Sequence, residues 1–227
     1  MKCNSLIKDY VSISIPVFVS DSLLALGTSA VAMVMGRIGT GFVSANSITV
    51  VIQQLTTVII QGICHASCIM TGHTLGHGER EKAQQQAWTF LILGLVVGIL
   101  GGGLIKVLSR PIIGLYNITP ETAQIAGELM DAIAFIVIFQ SMNSILTKGV
   151  LRGGGDTKFL MVADIIFLWA ASLPLGILAG LVWHLDAFWI YVFLKIDQIC
   201  KSIWCVFRLR SGKWIKTFSK EKMNHAQ

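Results

Sequence analysis

The chain has 227 residues, of which 54% are hydrophobic and only 13% charged, with a mean hydropathy of +0.70 and a net charge of +6. About a quarter of the residues in a soluble domain are charged, so an ordinary water-exposed globule is excluded. Three runs, 38–78, 83–105 and 165–185, contain no Asp, Glu, Lys or Arg, and each exceeds or matches the roughly 20 apolar residues that span a bilayer core.

Apolar stretches and their punctuation predict six helices at about 10–36, 44–72, 84–107, 122–148, 158–182 and 187–208. The polar opening runs into an apolar stretch too long for a signal-peptide core, with no small-residue cleavage site, so it reads as a membrane helix. In this first helix Asp21 lies near mid-bilayer at about 1.5 Å per residue. Ser14, Asp21, Thr28 and Met35 recur every seven residues and share one face. A carboxylate in the apolar layer is costly and reads by default as functional.

The second helix carries a similar stripe in Gln53, Gln54, Thr57, Gln61 and His65. Cys64 and Cys68 flank that histidine, but no second ligand cluster accompanies them, and five cysteines form no disulfide framework. In the third helix Gly98, Gly101, Gly102 and Gly103 read as close-packing positions. A polar loop from Ser109-Arg110-Pro111 follows, closed by Thr119-Pro120-Glu121-Thr122. That tetrapeptide is a helix start, with a capping hydroxyl, a first-turn proline and an acid at the positive end of the dipole.

The fourth helix offers Gln140, Asn143, Ser144 and Thr147 on one face, while Asp131, nine residues before Gln140, lies off that stripe. Arg152-Gly153-Gly154-Gly155-Asp156-Thr157-Lys158 lacks the preceding strand and the Gly-Lys-Ser/Thr ending of a phosphate-binding loop. It reads as a tight turn, with Asp156 and Thr157 capping the fifth helix. Asp164 sits only about six residues into that helix, near the cytoplasmic interface. In the sixth, Asp197 and Lys201 are spaced i, i+4 with the acid first, a mutually neutralising pair, and Lys195 calls for an acid from another helix.

Three helices thus each present a polar stripe. Turned inward, the stripes enclose a cavity for a polar or cationic molecule; the alternative is that Ser, Thr and Gln merely join helices by hydrogen bonds. Of the 18 Lys and Arg, fourteen fall in the tails and loops on the side of the N-terminus or at the helix ends there; Arg37, Lys106 and Arg110 fall opposite, and Lys195 lies within a helix. The positive-inside rule then places both termini in the cytoplasm of a multi-pass plasma-membrane protein. The same rule explains the net charge without nucleic acid. The basic tail, 209–227, reads as a juxtamembrane segment touching anionic membrane lipids.

Pro16, Gly36-Arg37-Ile38-Gly39 followed by Ala45-Asn46-Ser47-Ile48, Gly72-His73-Thr74-Leu75-Gly76-His77-Gly78 followed by Ala83, and Leu151 to Lys158 together resemble the multidrug and toxic compound extrusion (MATE) transporters. Asp164, Trp169, Pro174-Leu175-Gly176 and Arg210-Ser211-Gly212-Lys213-Trp214 are similar to the C-terminal half of bacterial members. The resemblance implies an all-α integral membrane protein, its six transmembrane helices forming one lobe of a MATE-like (MOP superfamily) fold. It further implies twelve helices in two lobes, exporting organic cations in exchange for H+ or Na+, so that this chain needs a second six-helix lobe, either an N-terminal half or another copy. It also implies coupling acids in the first and fourth helices of this lobe; Asp21 stands in for the first, and the fourth offers Asn143 in place of an acid.

The expected site is a cavity formed by Asp21, Gln54, Gln61 and Asn143, with Asp131, Asp164 and Asp197 as secondary candidates and no cofactor beyond the coupling ion. A lipid-linked sugar flippase of the same superfamily is the transport alternative, disfavoured because few basic residues lie within the helices. A non-transporting scaffold or remnant is the alternative of another class. An enzyme is the least supported, since no paired acids, nucleophile with base, or metal motif is found.

Overall fold

The computed structural model describes residues 2–116 and 118–215, and of residues 2–10, 12 and 13 the backbone alone. Among these, six rods follow one another: α1 Lys2–Ile38, α2 Thr40–Gly76, α3 Arg80–Leu115, α4 Pro120–Leu151, α5 Thr157–Val182, and α6 in two pieces, Ala187–Leu194 and Ile196–Arg210. The all-α, six-helix expectation holds. The first five rods are long and apolar enough to cross a membrane; α6 falls short of that length because it breaks at Lys195.

The rods outrun their predicted ends because helix continues into polar sequence beyond the apolar core. α3 runs through Pro111, where a loop was expected. A proline removes one backbone donor, yet Pro111 keeps a helical position near the rod's end. Thr119 behaves as its sequence predicts, accepting a hydrogen bond from the Thr122 backbone N–H at 3.3 Å with Pro120 in the first turn. Asp156 does not: it makes no side-chain cap, and its carboxylate takes Arg208 Nε at 2.7 Å instead.

α4 is the central rod, packed against α2, α3 and α6, while α1 lies mainly on α5. Leu129, Met130, Ile133, Ile136 and Val137 of α4 are all buried. Glycine sets the approach of α3 to α4 and, at Gly101, to α2. A Cβ on Gly98 would stand 2.8 Å from Ile138 Cα, one on Gly101 2.4 Å from Thr56 Cγ2, and one on Gly102 2.5 Å from the Ala134 carbonyl oxygen. In lipid, where apolar burial drives little association, this close backbone contact supplies the packing. Gly103 faces open space, so it is not a packing position as its sequence setting suggested. Large apolar side chains such as Val58, Leu100, Val107 and Phe207 remain exposed on the outer face, as a lipid-facing surface requires.

Two rods leave ideal α geometry. The last turns of α4, Ile145–Leu151, widen to π-helix, as does α5 over Ile166–Ser172 and Leu178–Val182. Such widened turns recur at functional sites. The break in α6 frees backbone carbonyls, and Ser172 Oγ of α5 donates to that of Leu194.

The α4–α5 turn depends on Gly155, at φ +79°, a left-handed value that favours glycine. The chain after α6 folds back onto this turn: Trp214 is fully buried, its ring against Gly154, with Nε1 donating to Gln84 Oε1 at 2.8 Å. The expected juxtamembrane tail is therefore packed through Trp214; its remainder, 216–227, lies outside the described residues.

Candidate functional site

A cavity of about 200 Å³ opens between α1, α2, α4, α5 and α6. The fourth-helix stripe faces it as the sequence predicts, through Gln140, Asn143, Ser144 and Thr147. Gln61 of α2 and Thr28 of α1 stand across from them, and Asp164 of α5 with Gln198 and Lys201 of α6 closes the wall. Five helices therefore contribute polar groups to one space.

A chain of buried contacts organises one side of this wall. Lys201 Nζ lies 3.1 Å from Asp164 Oδ1 and 3.0 Å from Asp197 Oδ2. Ser20 Oγ of α1 donates to Asp164 Oδ2 at 2.6 Å. Gln198 Nε2 donates to Asp197 Oδ2 at 2.9 Å, and Asn143 Nδ2 donates to Gln198 Oε1 at 2.7 Å. The charge of Asp197 fixes the orientation of both amides. A carboxylate only accepts, so Gln198 must turn its amino group to Asp197 and its oxygen to Asn143. Asn143 must in turn give its amino group to Gln198, leaving Oδ1 without a partner among the described residues.

The structure distributes the expected site residues unevenly. Gln61 and Asn143 line the cavity. Gln54 is exposed on another face, and its neighbour Gln53 is the one turned inward, donating to Gln140 Oε1 at 2.9 Å. Asp21 is half exposed and outside the wall, ion-paired at 3.0 Å with Arg152, which does line it. Asp131 pairs with Lys106 of α3, both largely exposed and remote from the cavity wall. Asp164 is 14% exposed and held by Lys201, a partner its own helix could not show. Asp197 and Lys201 form the expected pair, and the second acid on Lys201 is the contact that spacing along one helix could not show. His65 is exposed, and among the described residues no group of His, Cys, Asp or Glu is placed to hold a metal ion.

The wall also carries more positive charge than the sequence led us to expect, through Lys148, Arg152 and Lys201. Two of the three are committed, Arg152 to Asp21 and Lys201 to its two acids. Lys148 is exposed.

Comparison with known proteins adds family and fold. The MatE family profile matches residues 16–178. The chain is 25% identical over 217 residues to the probable multidrug resistance protein NorM of Xylella fastidiosa strain Temecula1, covering 94% of this chain and 46% of that one. It is 29% identical over 186 residues to the multidrug resistance protein MdtK of Photorhabdus laumondii, covering 78% and 39%. Among solved structures, a MATE protein in the straight conformation superposes with a TM-score of 0.80 at 14% identity, covering 92% of this chain and 48% of that one. An outward-facing multidrug resistance MATE family transporter of the MOP superfamily superposes at 0.76 and 18%, covering 89% and 44%. The chain spans about half the length of the curated relatives it matches.

Proposed function

Because the chain belongs to the MatE family of membrane transporters, we propose that it forms one six-helix half, the C-terminal one, of a secondary active exporter of organic cations driven by a H+ or Na+ gradient. The observation that carries this reading is the polar cavity, to which five helices of a largely apolar bundle turn Gln61, Asn143, Asp164, Gln198 and their neighbours. Intramembrane polar groups that share a wet cavity mark substrate and ion pathways, and transporter sites lie at the junction of two structural repeats near the bilayer midplane. A second six-helix lobe supplies the opposing wall, and both termini of this half face the cytoplasm of a bacterial cell.

Asp21 then acts on the cavity through Arg152 rather than from its wall, and exchange of a proton or Na+ there would release or re-form that ion pair. The flippase alternative calls for free cations to meet a pyrophosphate. Two of the three cavity cations are already neutralised by carboxylates, which favours the organic-cation reading.

Proteoliposomes test it. The chain together with its second lobe, under an imposed H+ or Na+ gradient, is expected to export ethidium, and the chain by itself is not. A monomer of this chain that exports robustly, or a two-lobe protein that never exports cations under either gradient, would overturn the reading.

A further inference from the structure

We propose that Asp164 and Asn143 form the docking site for the positively charged group of the transported molecule, with Lys201 as a tethered cation that holds the place when the cavity is empty. The inference rests on the exporter reading and names the contact that selects charge within it.

Three observations converge on these residues. First, Asp164 is the one carboxylate in the cavity wall among the described residues. Second, Asn143 is 5% exposed, lines the same cavity and keeps its Oδ1 without a partner among the described residues. The orientation is enforced, since Asp197 fixes Gln198 and Gln198 fixes Asn143. A buried acceptor left open is costly unless a donor comes to it, and the donor that suits an acceptor beside a carboxylate is cationic or bears N–H groups. Third, Lys201 can give Asp164 up without being stranded. It sits 3.0 Å from Asp197 and 3.1 Å from Asp164, so a competing cation at Asp164 leaves the buried ammonium neutralised by Asp197. A lysine with a single acid could not make that exchange, because the unpaired charge would remain in the apolar layer.

The arrangement also links occupancy to a helix. Ser20 of α1 donates to the free oxygen of Asp164 at 2.6 Å, while Asp21, the next residue, pairs with Arg152. A ligand that draws on the Asp164 carboxylate weakens its hold on Ser20, and with it one of the polar ties between α1 and the rest of the wall. Of the other cations of the wall, Arg152 is held by Asp21 and Lys148 is exposed.

The probe is tetraphenylphosphonium, titrated by calorimetry into the full chain together with its second six-helix lobe in lipid nanodiscs. Asp164→Asn keeps the side-chain shape, still accepts from Ser20 and leaves Lys201 on Asp197. It should weaken binding about tenfold, the loss of one charge-assisted contact. Asn143→Leu tests the acceptor independently and should weaken binding severalfold, while Asp131→Asn, outside the wall, should leave it unchanged. Thermal melting of each variant confirms that the comparison is between folded proteins. Wild type that binds, with Asp164→Asn and Asn143→Leu binding equally well, overturns this inference and leaves the exporter reading standing. Wild type that shows no binding of the cation overturns both.

Discussion

Removing the acids around Lys201 one at a time and then together should produce a strongly non-additive loss of stability. Lys201 and Asp197 are each about 3% exposed and Asp164 14% exposed. Breaking a buried pair so that a charge is stranded costs about 3–5 kcal/mol. Neither single change strands Lys201 here. Asp164→Asn leaves Lys201 on Asp197 at 3.0 Å, and Asp197→Asn leaves it on Asp164 at 3.1 Å. Each single variant should therefore lose only about 1.5 kcal/mol, the low end for a hydrogen bond to a charged group. Asp197→Asn adds the cost of re-pairing Gln198, whose amino group loses a charged acceptor. The double variant removes both partners, and its loss should approach about 5 kcal/mol, exceeding the sum of the singles by about 2 kcal/mol, within the range found for directly coupled residues. Denaturant titration of all four proteins in one detergent, followed by tryptophan fluorescence, closes the cycle. Simple additivity would show that the two carboxylates do not share the ammonium, and the tethered-cation argument would go with it.

The glycine contacts of α3 separate by position: Gly102→Ala, whose Cβ would meet the Ala134 carbonyl oxygen at 2.5 Å, should cost about 1–3 kcal/mol by overpacking, whereas Gly103→Ala should be neutral or slightly stabilising, as read by the same titrations. Trp214→Ala empties a fully buried site beside Gly154 and leaves Gln84 Oε1 without its donor; the expected loss is about 3–5 kcal/mol, with the α4–α5 turn becoming susceptible to limited proteolysis. Single cysteines at Gly78 and His184 in a cysteine-free background should label from opposite faces of sealed vesicles, and labelling from one face would refute the topology drawn from Lys and Arg placement. The Asp21–Arg152 pair is half exposed, so Asp21→Asn should shift stability by less than about 1 kcal/mol while abolishing gradient-driven ethidium export in the two-lobe protein; normal export with unchanged ion dependence would make Asp21 structural.

The features legible in the sequence are those set by neighbours along the chain. Charge-free runs of membrane length, the Thr119 cap, the Gly155 turn and the Asp197–Lys201 spacing each follow from the geometry of a single helix or turn, and a one-dimensional pattern carries them. Other features were decided by which helix lies alongside. Counting residues from a helix start says how far along α5 Asp164 lies, but its partners, Lys201, 37 residues away, and Ser20, 144 residues away, come from other helices. Gln53 and Gln54 have the same chemistry and are adjacent, so nothing in the pattern could choose between them; α4 chose Gln53 by offering Gln140 as its partner. Gly101 and Gly103 differ in the same way, one against Thr56 and the other against open space. A polar stripe tells a helix which face is costly to leave in lipid. Only the packing of a second and third helix against that face decides which of its groups meet a partner and which, like Asn143 Oδ1, find none among the described residues.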